Sequence, residues 1–374
     1  MNRLLALARK ELLQVARDRL TLAMMVMLPV LQLLLFGWAI DTDVRHIPTV
    51  IFDQDASAAS RDLVRRVELT GYYDIVGEAR SYDEIGEAMR SGRAHVALVV
   101  PPRYGAHVSL GRQVTVQLVV DGSDPLTVGS ALNTASSLVA ARSTELTREQ
   151  LASTGARPPV APITLEPTVW YNPEQRTAVY IVPGLVGVIL TMTMVMLTAM
   201  AIARERERGT LEALIVAPVR RIEIVLGKIL PYVVVGYVQM TLILLIGWGL
   251  FDVPLTGSMA LLYELAALFI AANLAIGLVF STVARTQQQA MQMSFFFLLP
   301  NILLSGFMFP FEGMPRLAQW LAQLLPLTHF LRIVRRITLQ AASYPEVASE
   351  LLWLAAILAS VIVVASLRFK TKLL

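Results

Sequence analysis

Long uninterrupted apolar runs constrain this chain more than any other feature. The first run covers residues 20–40, and further runs follow a polar block that ends near Arg176. An α-helix rises 1.5 Å per residue, so about 20 apolar residues cross a hydrocarbon core of roughly 30 Å. Apolar residues make up 55% of the chain and charged residues only 16%, unlike a soluble globular protein. The sequence therefore predicts an α-helical polytopic membrane protein with about six transmembrane helices.

The region 178–374 is predicted to contain five of these spans, at 178–203, 229–251, 259–283, 291–311 and 351–367. Two shorter apolar segments lie between the last two spans and are interrupted by Pro315 and Pro326. They are too short to cross the bilayer, so we expect outer re-entrant helices within 312–340 that dip partway into it.

The N-terminal segment 1–19 has apolar and basic residues on opposite faces at helical spacing. This pattern predicts an amphipathic helix in the cytoplasmic membrane interface. The basic residues and the run 20–40 also resemble a secretory signal with a small-residue site at 37–39. Both parts are longer than those of typical signal peptides, so we favour a retained signal anchor that forms the first span.

The segment 41–177 is predicted to be an inserted small α/β extracytoplasmic domain. Its apolar runs are short and β-rich at 48–53, 73–77, 94–100 and 114–121, and helical patterns cover 60–69, 82–90 and 126–151. The motif at 163–173 is expected to lead the chain back to the membrane. The chain has no cysteine, so a disulfide framework and a Cys-based metal or redox site are excluded.

The distribution of basic residues predicts the orientation. With six spans, the N-terminal segment, the loop 204–228, the turn at Arg285 and the C-terminal tail lie on one side. Both termini are then cytoplasmic. Arg332, Arg335 and Arg336 fall on the outer side and break the pattern. A seventh span through Phe330 would correct them but would export the basic tail, so we keep six.

The loop 204–228 contains more than the basic residues that set topology. Glu205, Glu207 and Glu212 add nothing to a positive-inside signal, and Pro218 closes a short helix. An apolar strip on that helix needs a protein partner, and it consists of Leu211, Leu214 and Ile215. The alternative is a solvated loop whose charges only orient the chain. We favour a docking element.

The loop resembles the ABC-2 family of permeases, in which a pattern E-x-E-x-G-T-x-E is followed by a proline and then by G-K. The matching residues are Glu205, Glu207, Gly209, Thr210, Glu212, Pro218, Gly227 and Lys228. The segment 305–337 is similar to the family's fifth span and outer re-entrant helices. Gly313 and His329 stand where the family would be expected to have Ser and Tyr, which bears on the subfamily only.

The resemblance implies the permease subunit of an ATP-driven exporter in the bacterial cytoplasmic (inner) membrane. It implies a dimer with a second copy or a homologue, and a coupling loop that rests on a separate ABC ATP-binding subunit. ATP and Mg would be bound by that subunit, so this chain would hold no cofactor and would not be an enzyme by itself. The implied coupling residues are Glu205, Glu207, Gly209, Thr210, Leu211, Glu212, Leu214, Ile215 and Pro218.

The residues themselves agree that this chain has no nucleotide site. The pair Gly227-Lys228 is not a P-loop, because Ile222 and Ile229 occupy the positions that require Gly and Ser or Thr. The other expected partners are membrane lipid and a candidate periplasmic adaptor protein. Nucleic acid is not expected, because the basic residues flank apolar runs.

Three polar residues in predicted spans are open to two interpretations. Gln239, Asn273 and Asn301 either form interhelical hydrogen bonds, which we favour, or contribute to a translocation path. The segment 121–124 is interpreted as a turn after a strand, and a cysteine at Ser123 is expected to be accessible from outside. The four histidines have no metal-ligand spacing.

Two other functional classes are weighed against export of an amphipathic or apolar compound such as a drug or lipid. A secondary transporter is disfavoured by the scarcity of ionisable residues in the predicted spans and by the lack of inverted repeats. A non-transporting membrane anchor or sensor, whose outer domain binds a partner, is the other alternative. A neighbouring reading frame that encodes a P-loop would favour the exporter.

Overall fold

The computed structural model of the chain describes residues 44–154, 161–207, 209 and 221–371. At 153–154, 221–230 and 368–371 it describes the backbone alone. The predicted interface helix 1–19, the predicted first span 20–40 and the loop residues 210–220 lie outside the described residues.

The first part of the described chain is an α/β unit built on a five-stranded sheet. The strand order is β2-β1-β3-β4-β5, and β3 and β4 are antiparallel while the other neighbours are parallel. The elements are β1 (Ile47–Asp53), α1 (Ala58–Leu69), β2 (Tyr73–Glu78), α2 (Tyr82–Arg90), β3 (Val96–Val100), α3 (Tyr104–Ser109), β4 (Val114–Asp121), α4 (Pro125–Thr154) and β5 (Ile163–Trp170).

The central strand β3 reads VALVV and is buried along its whole length, as expected for a strand covered on both faces. Helices α1 and α4 pack on one face of the sheet, with Leu63 and Val128 in the shared core. Helix α2 covers the other face with Ile85 and Met89. The Tyr73 hydroxyl donates to the carbonyl oxygen of Ala131 at 2.6 Å, so a buried polar group is satisfied inside this core.

The sequence interpretation missed two elements of this unit. The segment expected to return the chain to the membrane is strand β5, which pairs with β4 from Ile163 beside Val114 to Trp170 beside Asp121. Pro167 argues against a central strand, but β5 lies at the edge of the sheet, where a missing N–H is tolerated. The short helix α3 was not predicted either.

The second part of the described chain is helical. Four of its helices are long and apolar enough to cross a membrane, over Thr177–Glu207, Pro231–Phe251, Met259–Val283 and Tyr344–Leu367. The full set is α5 (Thr177–Glu207), α6 (Arg221–Phe251), α7 (Met259–Val283), α8 (Gln287–Leu304), α9 (Arg316–Gln323), α10 (Pro326–Gln340) and α11 (Tyr344–Thr371).

The predicted span 291–311 differs most from the structure. Helix α8 ends at Leu304, and Gly306 follows with a φ of 83°, a left-handed conformation that commonly terminates helices. The rest of the predicted span, residues 307–311, is therefore not helical, although it is largely apolar. Helices α9 and α10 fall within the segment 312–340 where re-entrant helices were predicted.

The helical region packs around α7. Phe269 of α7 stacks on Phe330 of α10, with ring centroids 4.0 Å apart. Gly277 allows α7 to approach α5 closely, because a Cβ at this position would lie 2.5 Å from the carbonyl oxygen of Val195. Helices α5, α7 and α10 thus form one apolar core.

The α/β unit contacts the helical region through polar side chains. His95 lies between two carboxylates, with Nδ1 3.5 Å from Asp121 Oδ2 and Nε2 3.5 Å from Glu312 Oε1. Gln340 Nε2 donates to Asp121 at 2.8 Å and to Ser123 at 3.0 Å. We call these five residues the junction cluster. Ser123 is buried in it, so the expectation that a cysteine here is freely accessible is wrong.

The junction cluster carries a charge pair outside the candidate spans. Burial alone would lower the pKa of His95, but its contacts with Asp121 and Glu312 outweigh burial and raise the pKa to about 10. Burial would likewise raise the pKa of Glu312, yet the contact with His95 holds it well below its usual value. The pair is therefore charged at neutral pH.

We expect the junction cluster to lose its stabilising effect in alkali. A pKa raised in the folded protein contributes stability that is complete below the unfolded value of about 6.5 and is lost as pH rises through about 10. His95→Gln should lower the free energy of unfolding by about 2 kcal/mol at pH 6. Thermal unfolding of detergent-solubilised protein should show this difference from wild type shrinking toward pH 10. A constant difference would contradict the assignment.

Candidate functional site

The C-terminal end of α5 contacts the turn between α7 and α8. Arg206 Nη1 donates to the carbonyl oxygen of Ala284 at 2.5 Å, and Arg204 Nε donates to Gln287 Oε1 at 3.1 Å. Arg204 and Arg206 open the predicted coupling loop 204–228. The loop therefore starts from a point that is tied to the α7–α8 turn as well as to α5.

Glu207 makes the most specific of these contacts. One carboxylate oxygen accepts the backbone N–H of Gln287 at 2.9 Å, and the other accepts its Nε2 at 2.6 Å. Gln287 is the first residue of α8, where backbone N–H groups have no partner within the helix. Glu207 thus caps α8 from a different helix, and its negative charge is favourable at the positive end of the helix dipole.

Two further backbone N–H groups near the start of α8 are satisfied locally. Thr286 Oγ1 accepts the backbone N–H of Gln289 at 3.1 Å, and Gln289 Oε1 accepts the backbone N–H of Arg285 at 2.9 Å. This arrangement is similar to a capping box. We call Arg204, Arg206, Glu207, Ala284 and Gln287 the α5–α8 clamp. This clamp joins the α7–α8 turn to the start of the loop 204–228.

A layer of small side chains packs against the clamp. Ala199 and Ala203 of α5 contact Ala284 and Ala290 in one buried apolar cluster. Small side chains let the backbones of the two elements approach closely. The clamp is therefore supported by packing as well as by hydrogen bonds.

The other predicted coupling residues are only partly described. Glu205 is half-buried in the last turn of α5. Gly209 has a φ of 69°, and its N–H donates to the carbonyl oxygen of Arg206 at 3.2 Å, so it turns the chain away from the helix. Outside the described residues are Thr210, Leu211, Glu212, Leu214, Ile215 and Pro218.

The three predicted path residues lie on three different helices. Gln239 Oε1 accepts from Thr193 Oγ1 at 2.8 Å, an interhelical bond between α6 and α5. Asn273 and Asn301 are fully buried and donate to the carbonyls of Phe269 and Phe297, each at 2.9 Å on their own helix. Their Oδ1 atoms have no hydrogen-bond partner among the described residues.

The sequence interpretation missed a buried ionic cluster around Glu350. His329 Nδ1 lies 2.6 Å from Glu350 Oε2, and His329 Nε2 lies 2.9 Å from the carbonyl oxygen of Gln323. A carbonyl can only accept, so Nε2 carries a hydrogen. Glu350 also accepts from Arg332 at 3.3 Å. Glu350 thus joins α11 to His329 and Arg332 of α10.

The same cluster accounts for the basic residues that broke the orientation pattern. Arg336 lies 3.8 Å from Glu350, and Arg332 stacks on the ring of Phe311 at 4.3 Å. Arg335 stacks on Tyr180 at 4.1 Å and donates to the carbonyl oxygen of Gly306 at 3.0 Å. Arg332 and Arg336 thus have a carboxylate partner inside the protein. Arg335 is held by an aromatic ring and a carbonyl, and its Nε and Nη2 make no hydrogen bond among the described residues. Glu346 and Glu350, one turn apart at the start of an apolar helix, were the available sequence signal.

Comparison with known proteins identifies the family. The family model described as "ABC-2 family transporter protein" matches residues 19–367. The chain is 31% identical to the probable multidrug ABC transporter permease YbhR of Escherichia coli (strain K12), over 91% of each chain. It is 28% identical to the permease YbhS of the same strain, over 92% of this chain and 90% of YbhS.

A third similar protein is the inner membrane transport permease YhhJ of the same strain, 30% identical over 86% of this chain and 85% of YhhJ. With four described helices able to cross a membrane, these matches make the chain a multi-pass integral membrane protein. This chain thus belongs to the ABC-2 transporter family and is a membrane permease subunit of an ABC exporter, whose ATPase is a separate chain.

Proposed function

We propose that this permease exports an amphipathic or apolar compound, such as a drug or a lipid, across a bacterial cytoplasmic membrane. The main observation in favour of a coupling role for the loop 204–228 is the α5–α8 clamp. It connects the start of that loop to the end of α7 and to the start of α8. The relatives named multidrug permeases favour this class of cargo. ATP and Mg belong, in this proposal, to the ATP-binding partner.

We also propose six spans, formed by 20–40, α5, α6, α7, α8 and α11. Helix α8 has 18 residues, about 27 Å at 1.5 Å per residue, close to the thickness of the hydrocarbon core. Both termini and the loop 204–228 are then cytoplasmic, and the α/β unit is extracytoplasmic. The partnering of the arginines on α10 supports this orientation, because paired charges need not follow the distribution of free ones.

The permease is proposed to work with a second copy or a homologue. Helix α6 supports this with a row of exposed apolar side chains that face either lipid or another helix: Val234, Val238, Leu242, Leu245 and Trp248. A periplasmic adaptor would meet the α/β unit. Asn273 and Asn301 have buried Oδ1 atoms with no hydrogen-bond partner in the described part of the chain, and they stay candidates for the translocation path, with Gln239 as a helix-packing residue.

Reversal of one charge in the loop tests the coupling assignment. We expect Glu212→Lys to lower transport by tenfold or more, since like charges at a docking surface cost on the order of several kcal/mol. Transport and partner ATPase activity are measured in vesicles that contain permease and ATP-binding subunit at wild-type abundance. Glu68→Lys, at an exposed position on α1, is the matched charge control. Wild-type values for Glu212→Lys would refute a coupling role for this loop.

Thiol labelling tests the orientation in a chain that has no native cysteine. We expect Ser137→Cys, exposed on α4, to react with an impermeant reagent in intact cells. Thr210→Cys should react only after permeabilisation. Ser123→Cys serves as a buried reference on the outer side and should react more slowly than Ser137→Cys. Equal labelling of Ser137→Cys and Thr210→Cys in intact cells would contradict six spans.

A further inference from the structure

We infer that Glu207 and Gln287 are positioning residues that carry the movement of the coupling loop into α8, and through α8 toward the outer α/β unit. The inference rests on the proposed coupling role of the loop 204–228. It adds a second route for that movement, besides the covalent connections of the loop to α5 and α6.

The contact between Glu207 and Gln287 has the geometry of a rigid link. Both carboxylate oxygens are used, and both donors belong to one residue, at 2.9 and 2.6 Å. Two parallel bonds fix the orientation of a partner as well as its distance. One donor is a backbone N–H, so Glu207 holds the helix itself rather than a flexible side chain.

Neighbouring contacts connect α7 to the end of α5 as well. Arg206 holds the carbonyl oxygen of Ala284, which follows the last residue of α7. The Ala284 N–H donates to Phe280 of α7 at 2.9 Å. Farther along, Gly277 packs on the backbone of α5 at Val195. A displacement of the end of α5 is therefore expected to move α7 and α8 with it.

The opposite end of α8 leads to the junction cluster. Just after α8, the Gly306 carbonyl accepts from both Tyr180 and Arg335, which fixes this end to α5 and α10. The chain then reaches Glu312, whose carboxylate contacts His95 of the α/β unit. Helix α8 thus has a polar attachment to the start of the coupling loop at one end. Its other end is attached to α5 and α10, and a non-helical segment leads from there to the contact with the outer unit at Glu312.

Alanine substitutions at the link test this inference. Transport per ATP hydrolysed is measured in vesicles that contain the full permease and its ATP-binding subunit. We expect Glu207→Ala, which removes both bonds, to lower this ratio about fivefold to tenfold. Gln287→Ala removes only the side-chain donor and keeps the backbone N–H, so it should lower the ratio less. Glu207→Gln keeps an acceptor for the Gln287 N–H and should retain an intermediate ratio. Gln288→Ala, next in the chain and exposed, should match wild type.

The double variant separates a link from two independent effects. If the two residues act as one link, Glu207→Ala with Gln287→Ala should be no worse than Glu207→Ala alone, because Glu207→Ala already removes both bonds. Additive losses would overturn the inference. So would losses fully explained by lower abundance of the permease in the membrane, because the role would then be in folding.

Glu212→Lys separates this inference from the proposed function. If Glu212→Lys lowers transport while the Glu207 and Gln287 variants keep the wild-type ratio, the link is refuted and the coupling loop stands. If Glu212→Lys has no effect, the coupling loop is refuted, and the inference falls with it.

Discussion

The structure depends on one constraint: a polar group in the membrane must find its partner within the protein, because hydrocarbon offers none. Glu350 shows how this is met. It contacts His329, accepts from Arg332 and lies 3.8 Å from Arg336, so one carboxylate on α11 contacts three basic residues of α10. An amphipathic helix of 15 residues is thereby held against the last long helix with most of its residues buried. Without Glu350, the partly buried Arg332 and Arg336 would lose the carboxylate that they share.

The polar contacts around α8 fall into two groups, one at each end of the helix. The α5–α8 clamp satisfies the N-terminal groups of α8 at one end, and the junction cluster with the Gly306 carbonyl satisfies polar groups beyond the other end. Between them, packing is largely apolar. Apolar packing is non-directional, whereas hydrogen bonds fix relative positions. The hydrogen bonds at the two ends of α8 are therefore expected to set the direction of any movement of this helix. The apolar contacts along its middle constrain that direction less.

The sequence predicted those elements whose formation depends on neighbouring residues in the chain. The bounds predicted for one span, 259–283, agree with helix α7, Met259–Val283, because length and apolar content alone determine such a helix. Strand β5 was missed because its local signal, Pro167, is outweighed by its position at a sheet edge. The burial of Ser123 and the pairing of Arg335 with Tyr180 depend on residues more than 100 positions apart. The partner of Glu207 was equally out of reach, since nothing local places Gln287 beside it.

The amino-acid composition of α8 fits two roles, as a proposed membrane span and as the helix whose first turn contacts Glu207. It begins with three glutamines and is not among the described helices apolar enough to be recognised as spans from composition. Gln287 binds Glu207, and Gln289 caps the turn, so two of these glutamines are used in contacts that an apolar residue could not make. Leucines at these positions would suit the bilayer better, but Glu207 would keep only the backbone N–H of residue 287 and the Arg285 N–H would lose its acceptor. The low hydropathy of α8 is thus explained by its first turn, whose glutamines contact the start of the coupling loop rather than lipid.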